Sequence, residues 1–301
     1  MKLWFSVLAS FVSVVVIATA LIYKSNPVTT PPLVLGQIVT ITPTPTKIPI
    51  PVKLNDSKPP NLTATAAVAY EIKNDFPLLE KNPLLRLYPA STTKLATALV
   101  ATDYFPLDKI LTINGIKIDG QKMKLIKGEQ MTVSDLLRGL LMFSANDAAE
   151  ALAANFPGGK ANFVNAMNLK MEQLNLQDTK FENPTGLDDA NQFTTAKDLA
   201  MLAKFALQRP FIADTVKTKK AVVKSIDGKV VHNLTNINEL LGEIPGVLGV
   251  KTGWTENAKE NLVTYIERGN AKVIIVVLGS DDRFGETKKL IDWIFGNYSF
   301  N

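Results

Sequence analysis

Tyr88-Pro89-Ala90-Ser91-Thr92-Thr93-Lys94-Leu95-Ala96-Thr97-Ala98-Leu99-Val100-Ala101 carries a hydroxyl and an amine three residues apart where a run of helix formers begins. Three or four residues make one helical turn, so Ser91 and Lys94 share a face. The run from Thr93 is apolar on most sides and reads as a buried helix. A lysine carried into such a core is costly unless something needs it. Burial disfavours the ammonium and can lower its pKa from about 10.4 toward neutrality, roughly 4 kcal/mol, leaving a free amine able to take the proton of Ser91. The first turn also points backbone N–H groups at whatever Ser91 attacks. A capping serine beside a snorkelling lysine is the plain alternative for this spacing alone.

Two further segments bear on the choice. Phe143-Ser144-Ala145-Asn146-Asp147 interrupts a helical stretch, and Val250-Lys251-Thr252-Gly253-Trp254-Thr255 closes a short apolar run that reads as a strand. The order Ser-x-x-Lys, Ser-x-Asn, Lys-Thr-Gly resembles the penicillin-recognising serine transpeptidases, carboxypeptidases and class A β-lactamases. The nearer resemblance is to the D-alanyl-D-alanine carboxypeptidases. Asn183-Pro184-Thr185-Gly186-Leu187 and the following Phe193 to Ala200 are similar to that family's Asn-Pro-x-Gly-Leu segment and next helix. Arg283-Phe284-Gly285-Glu286-Thr287-Lys288-Lys289-Leu290 resembles its last helix, and the resemblance runs from about residue 63 to about 298.

Acyl transfer on a peptide needs an activated nucleophile, oxyanion donors, a proton route to the leaving amine and a means of fixing the substrate. Ser91 is expected to attack and Lys94 to take its proton. By resemblance, the backbone N–H groups of Ser91 and Trp254 form the oxyanion hole, Ser144 and Lys251 relay a proton to the departing D-alanine, and Asn146 binds the substrate's backbone beside Gly253. Thr252, Thr255 and Arg283 suit the terminal carboxylate, since a charged hydrogen bond is worth about 1.5–3 kcal/mol. Lys251 near Lys94 raises the cost of protonating either.

The resemblance implies a serine carboxypeptidase that trims the terminal D-alanine from peptidoglycan stem pentapeptides and is acylated by β-lactams. A D,D-endopeptidase or β-lactamase on the same machinery, and a penicillin-binding sensor without turnover, are the alternatives. A class A β-lactamase needs a deacylating glutamate in Glu-x-x-x-Asn, and Glu182-Asn183-Pro184 lacks that spacing.

Composition narrows the field independently. The chain has one histidine and no cysteine, which removes zinc sites built from those ligands, and no metal or cofactor is expected. His232, in the predicted strand Lys229 to Asn233, is the sole candidate base for a Ser-His-Asp triad, and no Gly-x-Ser-x-Gly elbow accompanies it. Neither Val250-Lys251-Thr252 nor Gly158-Gly159-Lys160-Ala161 forms a phosphate loop. The net charge of +5 is mild. Lys217, Lys219, Lys220 and Lys224 form a cluster that reads as a solvated strand face or as attraction to anionic wall polymer or lipid. Nothing suggests nucleic acid.

Leu3 to Tyr23 is an uncharged run of 21 residues, about 31 Å as a helix and enough to cross a bilayer core. Residues 1–24 are therefore an expected signal-anchor, with cleavage near Ala18-Thr19-Ala20 the competing expectation. Residues 25–61, rich in proline and threonine, read as a semi-rigid tether. Residues 62–301 form the catalytic domain, expected on the extracytoplasmic face of the membrane because its substrate is cell wall. A second β-rich domain and a C-terminal anchor, present in several relatives, are not expected after Trp293. Where the family runs Lys-Thr-Gly-x-Thr-x-x-Ala-Gly, this chain has Ala258-Lys259-Glu260, so the turn there is expected to differ.

Strands are predicted at Thr65 to Ile72, Leu84 to Leu87, Ala221 to Ser225, Lys229 to Asn233, Val247 to Lys251, Asn261 to Ile266 and Lys272 to Leu278. Helices are predicted from Thr93, at Val133 to Phe143 behind a Thr132/Asp135 capping box, and at Asp147 to Ala154, Ala161 to Leu174, Thr195 to Gln208 and Arg283 to Phe295. Strands at both ends and helices between imply a mixed α/β, β-lactamase-like fold. An antiparallel sheet flanked by helices would carry a mostly helical lobe.

Overall fold

The most apolar run in the chain, Val273 to Leu278, lies at the heart of the sheet, buried on both faces. The computed structural model describes residues 49–300. The expected anchor or signal, and the expected tether up to residue 48, lie outside the described residues. In chain order the elements are β1 (Val52–Lys53), β2 (Ala66–Glu71), β3 (Phe76–Lys81), a 3₁₀ turn (Ala90–Thr93), α1 (Lys94–Tyr104), β4 (Ile110–Thr112), β5 (Gln130–Thr132), α2 (Val133–Met142) and α3 (Asn146–Ala154). There follow α4 (Gly159–Gln173), α5 (Ala196–Leu207), α6 (Pro210–Val216), β6 (Lys220–Lys224), β7 (Val231–Thr235), β8 (Val247–Thr255), β9 (Lys259–Arg268), β10 (Ala271–Ser280), α7 (Arg283–Asn297) and β11 (Tyr298–Ser299).

The main sheet has the order β3-β2-β10-β9-β8 with every neighbour antiparallel. It draws on both ends of the chain, as the sequence implies. Strand alternation divides its side chains between two cores. Ala66, Val68, Tyr70, Ile274 and Val276 face the helical lobe, whereas Ala67, Ala69, Ile275 and Val277 meet Leu290, Ile291 and Ile294 of α7. In the helical lobe α1 packs against α2, α4 and α5. Leu95, Leu99 and Val100 are buried there; at about 1.5–3 kcal/mol each they offset the burial of Lys94 within the same helix.

Three expectations are corrected. Leu84 to Leu87 is not a strand; the hairpin partner of β2 is β3, which contains Pro77. A proline cannot donate to a ladder, but β3 is an edge strand, and a bulge between Ala69 and Tyr70 accommodates it. Leu87 keeps a single bridge to Thr194. The domain does not begin at residue 62: Pro51 is buried, β1 pairs with β11, and Leu54 N–H donates to Asn297 O at 2.8 Å. The segment read as tether is thus docked at residues 51–54, while residues 55–59 are exposed. The turn at Lys259 keeps a glycine-like backbone, with Lys259 itself at φ 54°.

Candidate active site

Ser91 lies in the 3₁₀ turn that leads into α1, where residues three apart eclipse. Its Oγ lies 2.8 Å from Lys94 Nζ, which donates to it when protonated and accepts from it when neutral. The turn is held from three sides. Thr92 Oγ1 donates to Pro89 O at 2.6 Å, and Asn261 Nδ2 on β9 donates to Tyr88 O and Pro89 O at 3.0 and 3.2 Å. Gly186 closes the third side: a Cβ there would lie 1.8 Å from Ala90 O. Ala90 itself adopts φ 47°, a left-handed conformation that these contacts sustain.

Lys94 is fully buried and also donates to Asn146 Oδ1 at 2.7 Å and Thr185 O at 2.6 Å. Both acceptors are aimed. Asn146 Nδ2 donates to Asp119 O at 2.7 Å, which turns Oδ1 toward Lys94. Asn183 Oδ1 accepts from Thr185 N, Thr185 Oγ1 and Gly186 N, closing a turn that presents the Thr185 carbonyl. Burial lowers the Lys94 pKa to about 7, against smaller upward pulls from Asp147 and Glu150.

Ser144 takes φ 61° between α2 and α3, which brings its hydroxyl inward. Lys251, on β8 and 1% exposed, donates to Ser144 Oγ at 2.9 Å and Thr252 O at 2.8 Å. Burial, with the neighbouring Lys94 and Arg283 charges, holds its amine well below the ordinary lysine value. Asp147 fastens the opposite wall: its carboxylate accepts from Met123 N and Leu125 N, both at 3.0 Å.

These groups meet at a cleft of about 640 Å³ lined by Ser91, Ser144, Asn146, Thr252, Thr255 and Arg283. Gly253 and Trp254 line it too, and Lys94 and Lys251 lie beneath its floor. A Cβ on Gly253 would come within 3.2 Å of Ser91 N, so β8 passes directly against the Ser91 amide, with the Trp254 amide next along. The outer side of β8 is a sheet edge. Arg283, first residue of α7, donates Nη1 to Gly253 O at 3.0 Å. No carboxylate pairs with its guanidinium among the described residues, and its buried Nε lacks a partner. Thr255 Oγ1 donates to Asp188 Oδ1 at 2.7 Å across the cleft.

All ten residues singled out in the sequence therefore converge. Missed were Asn261, Asp147, Gly186 and Asp188. Asn261 is fully buried on β9 directly before the apolar Leu262-Val263, but in a strand that also carries Lys259, Glu260, Thr264, Glu267 and Arg268 its polarity gave no signal in the sequence. His232, on β7, is buried and faces Glu129 Oε1 at 2.6 Å and Met123 O at 2.9 Å; it bolsters the wall carrying Met123 and does not line the cleft. Among the described residues no group of acidic or histidine side chains could hold a metal ion.

A serine hydroxyl bonded to a buried amine, a second serine–lysine pair and an unpaired arginine beside a sheet edge define a serine acyl-transfer site of the penicillin-recognising kind. The chain belongs to the D-alanyl-D-alanine carboxypeptidase family, Peptidase S11, whose model matches residues 53–282. It is 34% identical over 245 residues to the D-alanyl-D-alanine carboxypeptidase DacF of Bacillus subtilis, which spans 78% of this chain and 63% of the relative. A D-alanyl-D-alanine endopeptidase of Pseudomonas aeruginosa is 34% identical over 72% of each chain. The chain spans less than two thirds of the length of the carboxypeptidases of Bacillus subtilis and Haemophilus influenzae, at 63% and 64%. Among solved structures, a Streptomyces DD-transpeptidase aligns with a TM-score of 0.74 at 29% identity, covering 80% of this chain and all of its own. A penicillin-binding protein of Listeria monocytogenes, solved with ampicillin bound, gives 0.70 at 30% identity over 79% of this chain and 100% of that one.

Proposed function

We propose that the protein is a serine-type D-Ala-D-Ala carboxypeptidase that removes the terminal D-alanine from peptidoglycan stem pentapeptides. Ser91 attacks the carbonyl between the two D-alanines as Lys94 takes its proton. The oxyanion is held by the Ser91 and Trp254 amides. Ser144, bonded to Lys251, delivers a proton to the leaving amine. The acyl-enzyme on Ser91 is then hydrolysed, and a β-lactam forms the corresponding adduct at the same oxygen. The substrate's chain extends along the free edge of β8 beside Asn146, and Arg283 with Thr252 and Thr255 takes the terminal carboxylate. The substrate places the work on the extracytoplasmic side of the membrane, with Leu3 to Tyr23 as anchor or signal.

The observation that carries this is the 2.8 Å contact between Ser91 Oγ and a buried Lys94 amine whose pKa is lowered to about 7. Incubation with an acyl-D-Ala-D-Ala peptide tests it. Free D-alanine is expected, with turnover falling about 10⁴- to 10⁶-fold in Ser91→Ala, and intact-mass spectra should place a penicilloyl adduct on Ser91. A stable adduct without any D-alanine release would make the protein a non-hydrolytic penicillin binder. The Pseudomonas relative supports endopeptidase action as a second reading; cleavage of cross-linked dimers faster than of pentapeptides would select it.

A further inference from the structure

The β6–β7 hairpin and the segment leading to β5 share an outer face that the cleft does not use. Ile226 N–H donates to Gln130 O at 2.9 Å. Ile126 and Lys127 line one hollow with Lys229 and Val230, and Lys122 and Lys124 line the next with Val231. Alternation sends Val223, His232 and Leu234 inward and leaves Lys220, Val222, Lys224 and Val231 outward. Ile126, Val222, Ile226 and Val231 are 54, 60, 48 and 48% exposed.

Positive charge is concentrated here. Segments 117–130 and 219–231 hold eight lysines against three acids. With Lys2, Lys24 and Lys47 set aside, the 33 basic residues of the chain exceed the 28 acidic ones by only two, so the rest of the body is net acidic. Of the three acids, Glu129 is buried against His232 and Asp227 pairs with Lys229 at 3.1 Å, which leaves Asp119. Elsewhere many surface lysines have carboxylate partners, as Lys160, Lys170, Lys180, Lys217 and Lys259 do within 3 Å, and those without one among the described residues, such as Lys58, Lys109, Lys197 and Lys289, are scattered along the chain. None pairs with Lys122, Lys124, Lys127, Lys220 or Lys224 among the described residues.

We propose that this face docks on a bilayer surface rich in anionic lipid, with its lysines among the headgroups and Ile126, Val222, Ile226 and Val231 at the acyl boundary. A soluble polyanion would engage the lysines but gain nothing from four exposed aliphatic side chains interleaved with them. A lipid surface uses both. The inference stands apart from the catalytic reading, because the cleft and this face share no side chain.

The absence of cysteine makes the test local. In the full chain, Ile226→Cys carries a polarity-sensitive dye, with Leu169→Cys on α4, also exposed, as the comparison site. Each is mixed with phosphatidylglycerol-rich or pure phosphatidylcholine vesicles. The N-terminal segment is common to every arm, so only the dye at position 226 reports this face. A blue shift at 226 is expected with the anionic vesicles alone, reversed by ~0.5 M salt, and none at 169. Each lysine near the surface is worth roughly fivefold in partition. The combined Lys124→Gln, Lys127→Gln, Lys224→Gln and Lys229→Gln variant should therefore need several hundredfold more lipid, while its penicillin acylation rate, which shows that it folds, stays unchanged. No shift with either vesicle, an equal shift with neutral vesicles, or an equal shift with soluble poly(glycerol phosphate) at matched phosphate would overturn the proposal.

Discussion

Lys94 Nζ has three oxygen neighbours, and a free amine has two protons. Thr185 O can only accept, and Asn146 Oδ1 is fixed as an acceptor by the bond its Nδ2 makes to Asp119. The two protons therefore go to those oxygens and the lone pair is left facing Ser91 Oγ, which is the arrangement a base needs. Protonation fills that lone pair. Since the amine's pKa is lowered to about 7, acylation by penicillin should fall about tenfold per pH unit below that value and level off above it, read from adduct formation against pH. Asp147 pulls the Lys94 pKa upward. Asp147→Asn should consequently move the acid limb to lower pH, and an unmoved limb would mean that the Asp147 charge does not bear on the titrating group. At the other end of the cleft Arg283 has no carboxylate partner, so Arg283→Ala should cost about 1.5–3 kcal/mol of selectivity for a free over an amidated terminal carboxylate. That is roughly a ten- to hundredfold change in the ratio of kcat/KM values.

Elements differ in how openly their residues declare them. Asp135 N–H donates to Thr132 Oγ1 at 3.1 Å, so the capping signal for α2 is realised as read. The strands β9 and β10 follow from β-branched runs. Pro77 hid β3, because only the sheet order reveals that the strand is an edge. Lys259 presents the opposite case: glycine's conformation persists without glycine, at φ 54° on entry to β9. A non-glycine residue in that region costs about 1–2 kcal/mol, and the exposed Lys259–Asp281 pair at 2.9 Å returns little of it. Lys259→Gly should raise the melting temperature by a few degrees, at about 2–4 °C per kcal/mol for a body of this size. Its acylation rate should not change, because Lys251 to Thr255 lie upstream of the turn.

Across the whole molecule the groups that meet at the cleft were legible in the sequence and their supports were not, for a physical reason. Ser91 and Lys94, Ser144 and Asn146, and Lys251 to Thr255 sit within short segments whose residue types state their chemistry. Their supports are backbone carbonyls and side chains brought together by folding: Thr185 reaches Lys94 across 91 positions and Asn261 reaches Tyr88 across 173. Such partners carry no local pattern. The domain's lower boundary failed in the same way, since a proline-rich stretch reads as tether whether or not it is docked. Here it is docked: Val52 and Lys53 pair with Ser299 and Tyr298, so the two ends of the described body close on each other beside α7. Each hydrogen bond so made contributes about 0.5–1.5 kcal/mol. A protein starting at residue 62 loses the β1–β11 ladder, the Leu54–Asn297 bond and the Asn74–Pro49 bond at 3.1 Å, a sum of about 2–4 kcal/mol. Compared with one starting at residue 49, it should melt roughly 5–15 °C lower while its penicillin acylation rate at 25 °C is retained, because none of the lost contacts touches the cleft. Equal melting temperatures would mean that the strand pairing at residues 52–53 adds nothing to the stability of the catalytic body.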